Sequence, residues 1–380
     1  MNRTPKVGVV DLSMNGWTAG AVLSRTMALS LNAAGADVTF FTGQPDQAPA
    51  TLKSVKPPPP RYLPGEWTLR KMFSRHLPKV TPGFARETGV DVVLPDVESI
   101  GTASLKTIGW IPDFQHLHLS NLYSPAQIAA MNRDFGILAQ RSARMLFSSE
   151  DCRRDFASAY PALAGKARVA SFPSLFAFEP PPPPAEDVRE IYHLPERFLL
   201  IINQFWRHKN HRIIPEALAI LRRRGLEVTA VMAGLPADHR DRQNDALSET
   251  LQAAVRGQVW PQCLVLGKVP REHLVGLLQT ATAVVQPSRF EGWNTTVQDA
   301  KAVGCPAFVS DLAVHREQCP NALGFFPVDD PAALADLIAD RWPSLPARPN
   351  PEREKEALSA EAAFALNYGR QLLEICTEVL

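Results

Sequence analysis

An alternation of short apolar runs with helical patterns occurs twice in this chain and restricts the folds that it can adopt. The first alternation starts with the apolar run Val7–Val10, typical of a buried strand. A glycine-containing loop follows, then apolar residues at helical spacing, Leu23, Met27 and Leu31, and then a second apolar run at Val38–Phe41. Strand, helix and strand in this order are the repeating unit of a parallel sheet. The sequence therefore predicts an α/β fold.

The second alternation follows a proline run at 180–184. It begins with a predicted strand at Phe198–Ile202, a helix at 213–224 that ends at Gly225, and a strand at Val228–Met232. The other predicted strands are 90–94, 107–111, 145–147, 168–172, 263–266, 283–286 and 307–310, and the other helices are 239–257, 271–279 and 295–303.

A chain of 380 residues exceeds the size at which one hydrophobic core usually stops growing. We therefore predict two α/β domains with a cleft between them, residues 1–180 and 181–358, and ligand at the carboxyl ends of the strands. A final helix is predicted at 359–380, with Ser359 as a plausible N-cap.

Charge and cysteine usage exclude several classes of protein. The formal net charge of +1 gives no broad attraction to nucleic acid or to acidic membranes. The N-terminus has no hydrophobic signal core, and no apolar run approaches the roughly 20 residues that span a bilayer. We expect a cytoplasmic protein that at most associates with the inner face of the membrane. An odd number of scattered cysteines without a CxxC pair argues against disulfides and a zinc site: Cys152, Cys263, Cys305, Cys319 and Cys376.

The segment Pro287–Pro306 carries the most chemistry. It places Glu291 in a loop and Asp299 about one turn inside the helix that follows. The start of that helix, capped by Asn294 or Thr295, presents unpaired amides and the positive end of its dipole, an arrangement that binds phosphate groups. The two carboxylates would then flank a bound diphosphate. On spacing alone, Glu291 is equally well a plain loop acid and Asp299 an exposed helix residue.

Three segments of the chain resemble the family 4 group of retaining glycosyltransferases: WIPDFQHLHL at 110–119, FLLIINQFWRHKNH at 198–211 and GKVPREHLVGLLQTATAVVQPSRFEGW at 267–293. The resemblance covers nearly the whole chain. It implies the GT-B fold, two Rossmann-like domains facing a central cleft, with the final helix returning to the N-terminal domain.

The resemblance assigns a role to each part of the 287–306 segment. Glu291 matches the acid that contacts the transferred sugar, and Asp299 matches the acid that holds the ribose, although the family usually has Glu there. The intervening loop would bind sugar and phosphate through Gly292, Trp293, Asn294, Thr295 and Thr296.

A second basic segment is implied to neutralise the donor diphosphate. The family usually has Arg six residues before a Lys, and here these positions are Asn203 and Lys209. Lys209 would carry most of the role, with Arg207 or Arg212 as a replacement for the missing cation. The alternative is that this basic cluster is only a solvated helix start.

The first domain offers further candidates for the acceptor side of the cleft. Gly16, Trp17 and Gly20 lie in the glycine loop, for which a plain tight turn is the alternative. Asp113 is a further candidate at this edge of the cleft; many relatives have a cleft His immediately before it, but this chain has Pro112. His116, or else His118, is our candidate for that catalytic place, and either one could instead pack or hydrogen-bond within its own loop.

The resemblance implies a retaining glycosyltransferase that moves a sugar from a UDP- or GDP-sugar to a glycan, lipid-linked or small-molecule acceptor, in surface polysaccharide or glycoconjugate synthesis. The chain has no Asp-x-Asp motif, so we expect no metal and no other cofactor. The alternatives are a nucleotide-sugar epimerase or a phosphorylase-like relative of the same fold, and a non-catalytic nucleotide-sugar sensor or partner subunit.

Overall fold

The computed structural model describes residues 4–13, 18–57, 80–179, 188–236, 245–347 and 351–380. The chain divides into two compact units, residues 1–178 together with 362–380, and residues 179–361. The sequence predicts these transitions after residues 180 and 358. The proline run at 180–184 lies outside the described residues.

The first unit is built on a parallel sheet. Its described strands stand in the order β3-β2-β1-β4-β5-β6-β7. They are β1 Lys6–Val10, β2 Asp37–Phe41, β3 Lys53–Val55, β4 Val92–Asp96, β5 Lys106–Trp110, β6 Arg144–Phe147 and β7 Ala167–Val169. The α-helices between them are α1 Thr18–Ala33, α2 Pro82–Thr88, α3 Gln115–His118, α4 Pro125–Arg141 and α5 Glu150–Ala159.

The C-terminal residues 362–380 belong to this first unit. A Cβ atom at Gly369 would lie 1.9 Å from the backbone oxygen of Ser30 in α1, so only glycine permits this approach of the two helices. Tyr368 and Leu372 are fully buried beside it. At the end of the chain, Glu378 pairs with Arg168 at 2.7 Å.

The second unit repeats the architecture. Its parallel sheet has the strand order β10-β9-β8-β11-β12-β13 within the described residues. The strands are β8 Leu199–Ile202, β9 Ala230–Ala233, β10 Cys263–Gly267, β11 Ala283–Gln286, β12 Ala307–Ser310 and β13 Gly324–Phe326. The α-helices are α6 Val188–Ile191, α7 Ile213–Arg223, α8 Ala246–Arg256, α9 Arg271–Thr280, α10 Thr295–Ala302, α11 Ala313–Gln318, α12 Pro331–Arg341 and the first part of α13 Pro351–Thr377.

Burial of both faces of the sheet explains why the sequences of these strands are continuous apolar runs. Helices cover a parallel sheet on both faces, so a strand such as β8 buries nearly every side chain, with Leu199, Leu200 and Ile201 at most 1% exposed. A hydrophobic core cluster of this unit joins such strands to α7 and α12 and includes Phe205, Phe308 and Phe326.

The sequence predictions of the regular elements hold for both sheets, with two corrections. The predicted strand at 168–172 ends at Val169. The final helix begins at Pro351, not at Ser359, which lies inside it. The segment EREKEALSA consists mainly of strong helix formers, and proline is tolerated in a first turn, so the helix extends eight residues further back than the predicted cap. The helix predicted at 239–257 begins at Ala246 in the described residues, and residues 239–244 lie outside them. The sequence patterns predict neither the strands β3 and β13 nor the helices α2, α3, α4, α5, α6, α11 and α12.

Candidate functional site

The strand order of the second unit fixes where its loops diverge. From β8 the chain builds outward through β9 and β10, whereas from β11 it builds outward through β12 and β13 on the other side. The neighbours β8 and β11 therefore form a topological switch point. In open α/β sheets, ligands bind at the carboxyl ends of the strands beside such a point. The loop after β8 carries Lys209, and the loop after β11 carries Glu291.

The two loops are held together by backbone contacts. The amide of Arg289 donates to the carbonyl of His208 at 2.7 Å. The Arg289 guanidinium donates to the carbonyl of Arg207 at 2.9 Å and pairs with Asp329. The short turn Arg207–Lys209 is thereby fixed against the loop that contains Glu291.

Lys209 and Glu291 form an ion pair at this point. Lys209 Nζ lies 2.6 Å from Glu291 Oε1, and the two side chains are only 15% and 9% exposed. Burial raises the pKa of Glu291, but the positive charge of Lys209, the neighbouring His208 and hydrogen bonds outweigh it, so the net shift is downward. Glu291 is therefore ionised at neutral pH.

Two side-chain amides lie beside this ion pair and hydrogen-bond to each other. Asn203 Nδ2 donates to Gln286 Oε1 at 2.9 Å, and Gln286 Nε2 donates back to Asn203 Oδ1 at 3.3 Å. Gln286 Nε2 also donates to Glu291 Oε1 at 3.1 Å and to Ser288 Oγ at 2.9 Å. Asn203, which stands where the family usually has Arg, is thus a buried amide partner that holds Gln286 against Glu291.

The N-terminus of α10 adjoins the same loop. Asn294 is its N-cap, since Oδ1 accepts from the amide of Val297 at 2.9 Å. The hydroxyl of Thr296 donates to the carbonyl of Ile202 at 2.9 Å, which ties the helix start to the end of β8. Within the described residues, the amides of Thr295 and Thr296 have no acceptor. These are the amides that a phosphate group would bind.

The amide of Asn294 requires a correction. The sequence places it among the unpaired amides, but it donates to Gln318 Oε1 at 3.1 Å, from α11. The remaining predicted contacts stay predictions: Gly292 is buried, Trp293 is partly exposed, and Asp299 is a partly exposed residue of the second turn of α10.

Arg207 and Arg212 are exposed and engaged elsewhere. Arg207 pairs with Asp245 at 3.5 Å, and Arg212 pairs with Glu216 at 3.2 Å. Exposed pairs of this kind stabilise little and exchange readily. Lys209 is the least exposed cation of the three.

His315, which the sequence reasoning missed, also belongs to this network. Its Nδ1 lies 2.9 Å from the carbonyl of Ser310, which can only accept, so Nδ1 carries the hydrogen. The side chain is fully buried, and Nε2 has no hydrogen-bond partner in the described part of the chain. Burial lowers the pKa of His315 although the charge of Glu291 opposes this, so the ring is neutral at pH 7.

The candidates of the first unit lie within their own local networks. His116 is fully buried, with Nε2 2.8 Å from Asn132 Oδ1 and its ring edge-on to Phe135. His118 is half exposed and pairs with Asp155 at 2.8 Å. The remaining candidates are Asp113, whose Oδ1 accepts from the amide of Gln115 at 2.9 Å, Gly20, which is buried in α1, and Gly16 and Trp17, which lie outside the described residues.

The described residues contain no group of three or more His, Cys, Asp or Glu side chains arranged to hold a metal ion. None of the helices in the described ranges combines the length and the apolar character that crossing a bilayer requires.

Most of the second unit matches a model of a known protein family. Residues 186–342 match the family model described as "Glycosyl transferases group 1", which is less than half of the chain. The match includes both Lys209 and Glu291. No curated protein sequence matches the chain significantly.

Solved structures match over nearly the full length. Sucrose-phosphate synthase from Thermosynechococcus elongatus is 16% identical, with a TM-score of 0.63 over 99% of this chain and 95% of that chain. A glycosyltransferase from Rickettsia africae ESF-5 is 14% identical, with a TM-score of 0.65 over 100% and 99%. HepE from Anabaena, in complex with UDP and glucose, is 13% identical, with a TM-score of 0.64 over 98% and 100%. The chain therefore has the GT-B fold of glycosyltransferases.

Proposed function

We propose that this chain is a retaining, metal-independent glycosyltransferase that moves a sugar from a UDP- or GDP-sugar to a glycan, lipid-linked or small-molecule acceptor. One observation carries the proposal. The partly buried Lys209–Glu291 pair lies in the two loops of a topological switch point, in the same loop system as the start of α10. A nucleotide sugar needs such an arrangement, because it carries a diphosphate and a neutral sugar side by side.

Positive charge and backbone amides would bind the diphosphate of the nucleotide sugar. The amides of Thr295 and Thr296 would donate to phosphate oxygens at the positive end of the α10 dipole. Lys209 would add a full charge, and its ammonium has three hydrogens, so it can hold a phosphate oxygen and Glu291 together. Hydrogen-bond donors and a lysine can thus balance the diphosphate without a metal ion.

Glu291 would lie beside the sugar of the nucleotide sugar. Positive character develops on the sugar as the glycosidic bond breaks, and an ionised carboxylate nearby stabilises it. Charge grows at the same time on the leaving diphosphate, where Lys209 stabilises it. In the proposed retaining mechanism, the departing diphosphate accepts the acceptor proton on the same face of the sugar.

The comparisons support the donor class. HepE is described in complex with UDP-glucose, and an α,α-trehalose-phosphate synthase of the same fold is described as UDP-forming. The proposed acceptor and a role in surface polysaccharide or glycoconjugate synthesis rest on the sequence resemblance.

A nucleotide-sugar screen tests the proposal. Thermal unfolding is measured with UDP- and GDP-sugars in excess chelator, since a ligand of the folded state raises the midpoint. Release of nucleoside diphosphate is then assayed with the stabilising donor and candidate acceptors. We expect binding without metal and loss of turnover in Lys209→Met, while the exposed Arg223→Met, which removes the same charge from α7, behaves as the parent. Binding only after metal is restored would contradict metal independence.

A further inference from the structure

The amides of Thr295 and Thr296 can meet a phosphate only if the first turn of α10 is held in place. Gln318 of α11 provides this support. Its Oε1 accepts from the Asn294 amide at 3.1 Å, and its Nε2 donates to the Asn294 carbonyl at 2.7 Å. One side-chain amide therefore binds both backbone groups of the N-cap residue.

Gln318 is in turn connected to the C-terminal helix. Gln318 Nε2 donates to Gln298 Oε1 at 3.3 Å. Gln298 Nε2 donates to both carboxyl oxygens of Glu361, at 2.8 Å to Oε1 and 2.9 Å to Oε2. Asn294, Gln298, Gln318 and Glu361 are all at most 4% exposed. A buried acid at this depth is rare on a helix that is otherwise exposed on most of its polar positions.

The backbone of Asn294 sets the direction of these hydrogen bonds. Its N–H can only donate and its carbonyl can only accept, so Gln318 turns Oε1 toward the N–H and Nε2 toward the carbonyl. The second acceptor of Gln318 Nε2 is Gln298 Oε1, and Gln298 therefore turns its NH₂ toward the two carboxyl oxygens of Glu361. Glu361 is the last acceptor in the series and holds Gln298 in this orientation.

We infer that Glu361 is a positioning residue for nucleotide binding, which fixes the phosphate-binding turn of α10 through Gln298 and Gln318. This inference rests on the proposed function of that turn. Without the acid, the Gln298 NH₂ loses its acceptor, so Gln298 can turn its oxygen away from Gln318, and Gln318 is then held by Asn294 alone. The amides of Thr295 and Thr296 then sample other positions, and ligand affinity falls even in a folded protein.

The experiment compares full-length variants by titration calorimetry with UDP and GDP in chelator, alongside thermal unfolding. Glu361→Leu removes the acceptor, and Glu361→Gln keeps one acceptor oxygen of the same reach. Glu356→Gln on the exposed side of the same helix is the control. We expect Glu361→Leu to bind about tenfold more weakly, as loss of an outer supporting hydrogen bond does at metal sites. Glu361→Gln and the control should match the parent.

A second variant separates positioning from stability. Gln298→Met with Glu361→Met removes both partners together, so neither is left buried and unpaired, and the fold is retained. It should still bind nucleotide more weakly than the parent. Parental affinity in the folded double variant or in Glu361→Leu would overturn the inference. Absence of binding to the parent protein would instead contradict the proposed function.

Discussion

Replacing Lys209 by Met should destabilise the second unit strongly and in a pH-dependent way. Lys209 Nζ is 2.6 Å from Glu291 Oε1, and both side chains are largely buried. With the lysine gone, burial outweighs the remaining influence of His208 and of the hydrogen bonds and raises the pKa of Glu291, so the carboxyl group takes up a proton rather than remain charged without its lysine.

The size of the destabilisation follows from the free energy of protonating Glu291. Protonating a carboxyl group of ordinary pKa 4.5 at pH 7 costs about 1.36 kcal/mol for each of about 2.5 pH units, or about 3.4 kcal/mol. This agrees with the roughly 3–5 kcal/mol lost when one partner of a buried pair is removed. The penalty should shrink as the pH falls toward 4.5, because the unfolded chain is then protonated as well.

Hydrogen exchange of the β8 and β11 amides is the appropriate assay, because it reports the second unit by itself in a protein of two units. Glu291→Gln added to Lys209→Met should restore most of the stability at pH 7 and remove the pH dependence. A Lys209→Met protein as stable as the parent at pH 7, or one whose penalty does not change with pH, would refute the buried-pair argument.

Other predictions concern the same loops. Glu291→Gln should lower kcat more than it changes the donor KM. Asp299→Asn should chiefly raise the donor KM, because a ribose contact persists into the transition state. Initial-rate kinetics that show the reverse would exchange the two assignments. Asn294→Ala removes the cap of the Val297 amide and should destabilise the second unit by about 1 kcal/mol, and unchanged hydrogen exchange would contradict it. The parent should lose stability as the pH falls below 4.5, since the pKa of Glu291 is lowered in the folded state. Unfolding curves of Glu291→Gln should lack this component, and identical acid profiles would contradict the predicted linkage.

Local sequence patterns predict most strands of both sheets and the location of the charged residues. Apolar runs and glycine stops place Lys209 after β8 and Glu291 after β11 without any structure. Their contact could not be predicted in this way, because it depends on β8 and β11 being neighbours in the sheet. The two residues are 82 positions apart, and no local pattern reports strand order.

The missed residues share a physical reason. Gln286 ends an apolar strand and His315 follows a short loop, so neither carries a periodic signal. Asn203 was interpreted as a missing cation, whereas the structure shows its amide paired with Gln286. The sequence pattern predicts a helix start at Ser359, and an acid such as Glu361 in a first turn is ordinary and carries no signal of its own. In the structure that helix begins eight residues earlier, and Glu361 is a buried residue of its interior.

Binding of the donor diphosphate by the start of α10 and Lys209 can be seen in a crystal structure of the protein with UDP or GDP grown in chelator. We expect phosphate oxygens about 3 Å from the amides of Thr295 and Thr296 and from Lys209 Nζ. A diphosphate bound away from these atoms would contradict it.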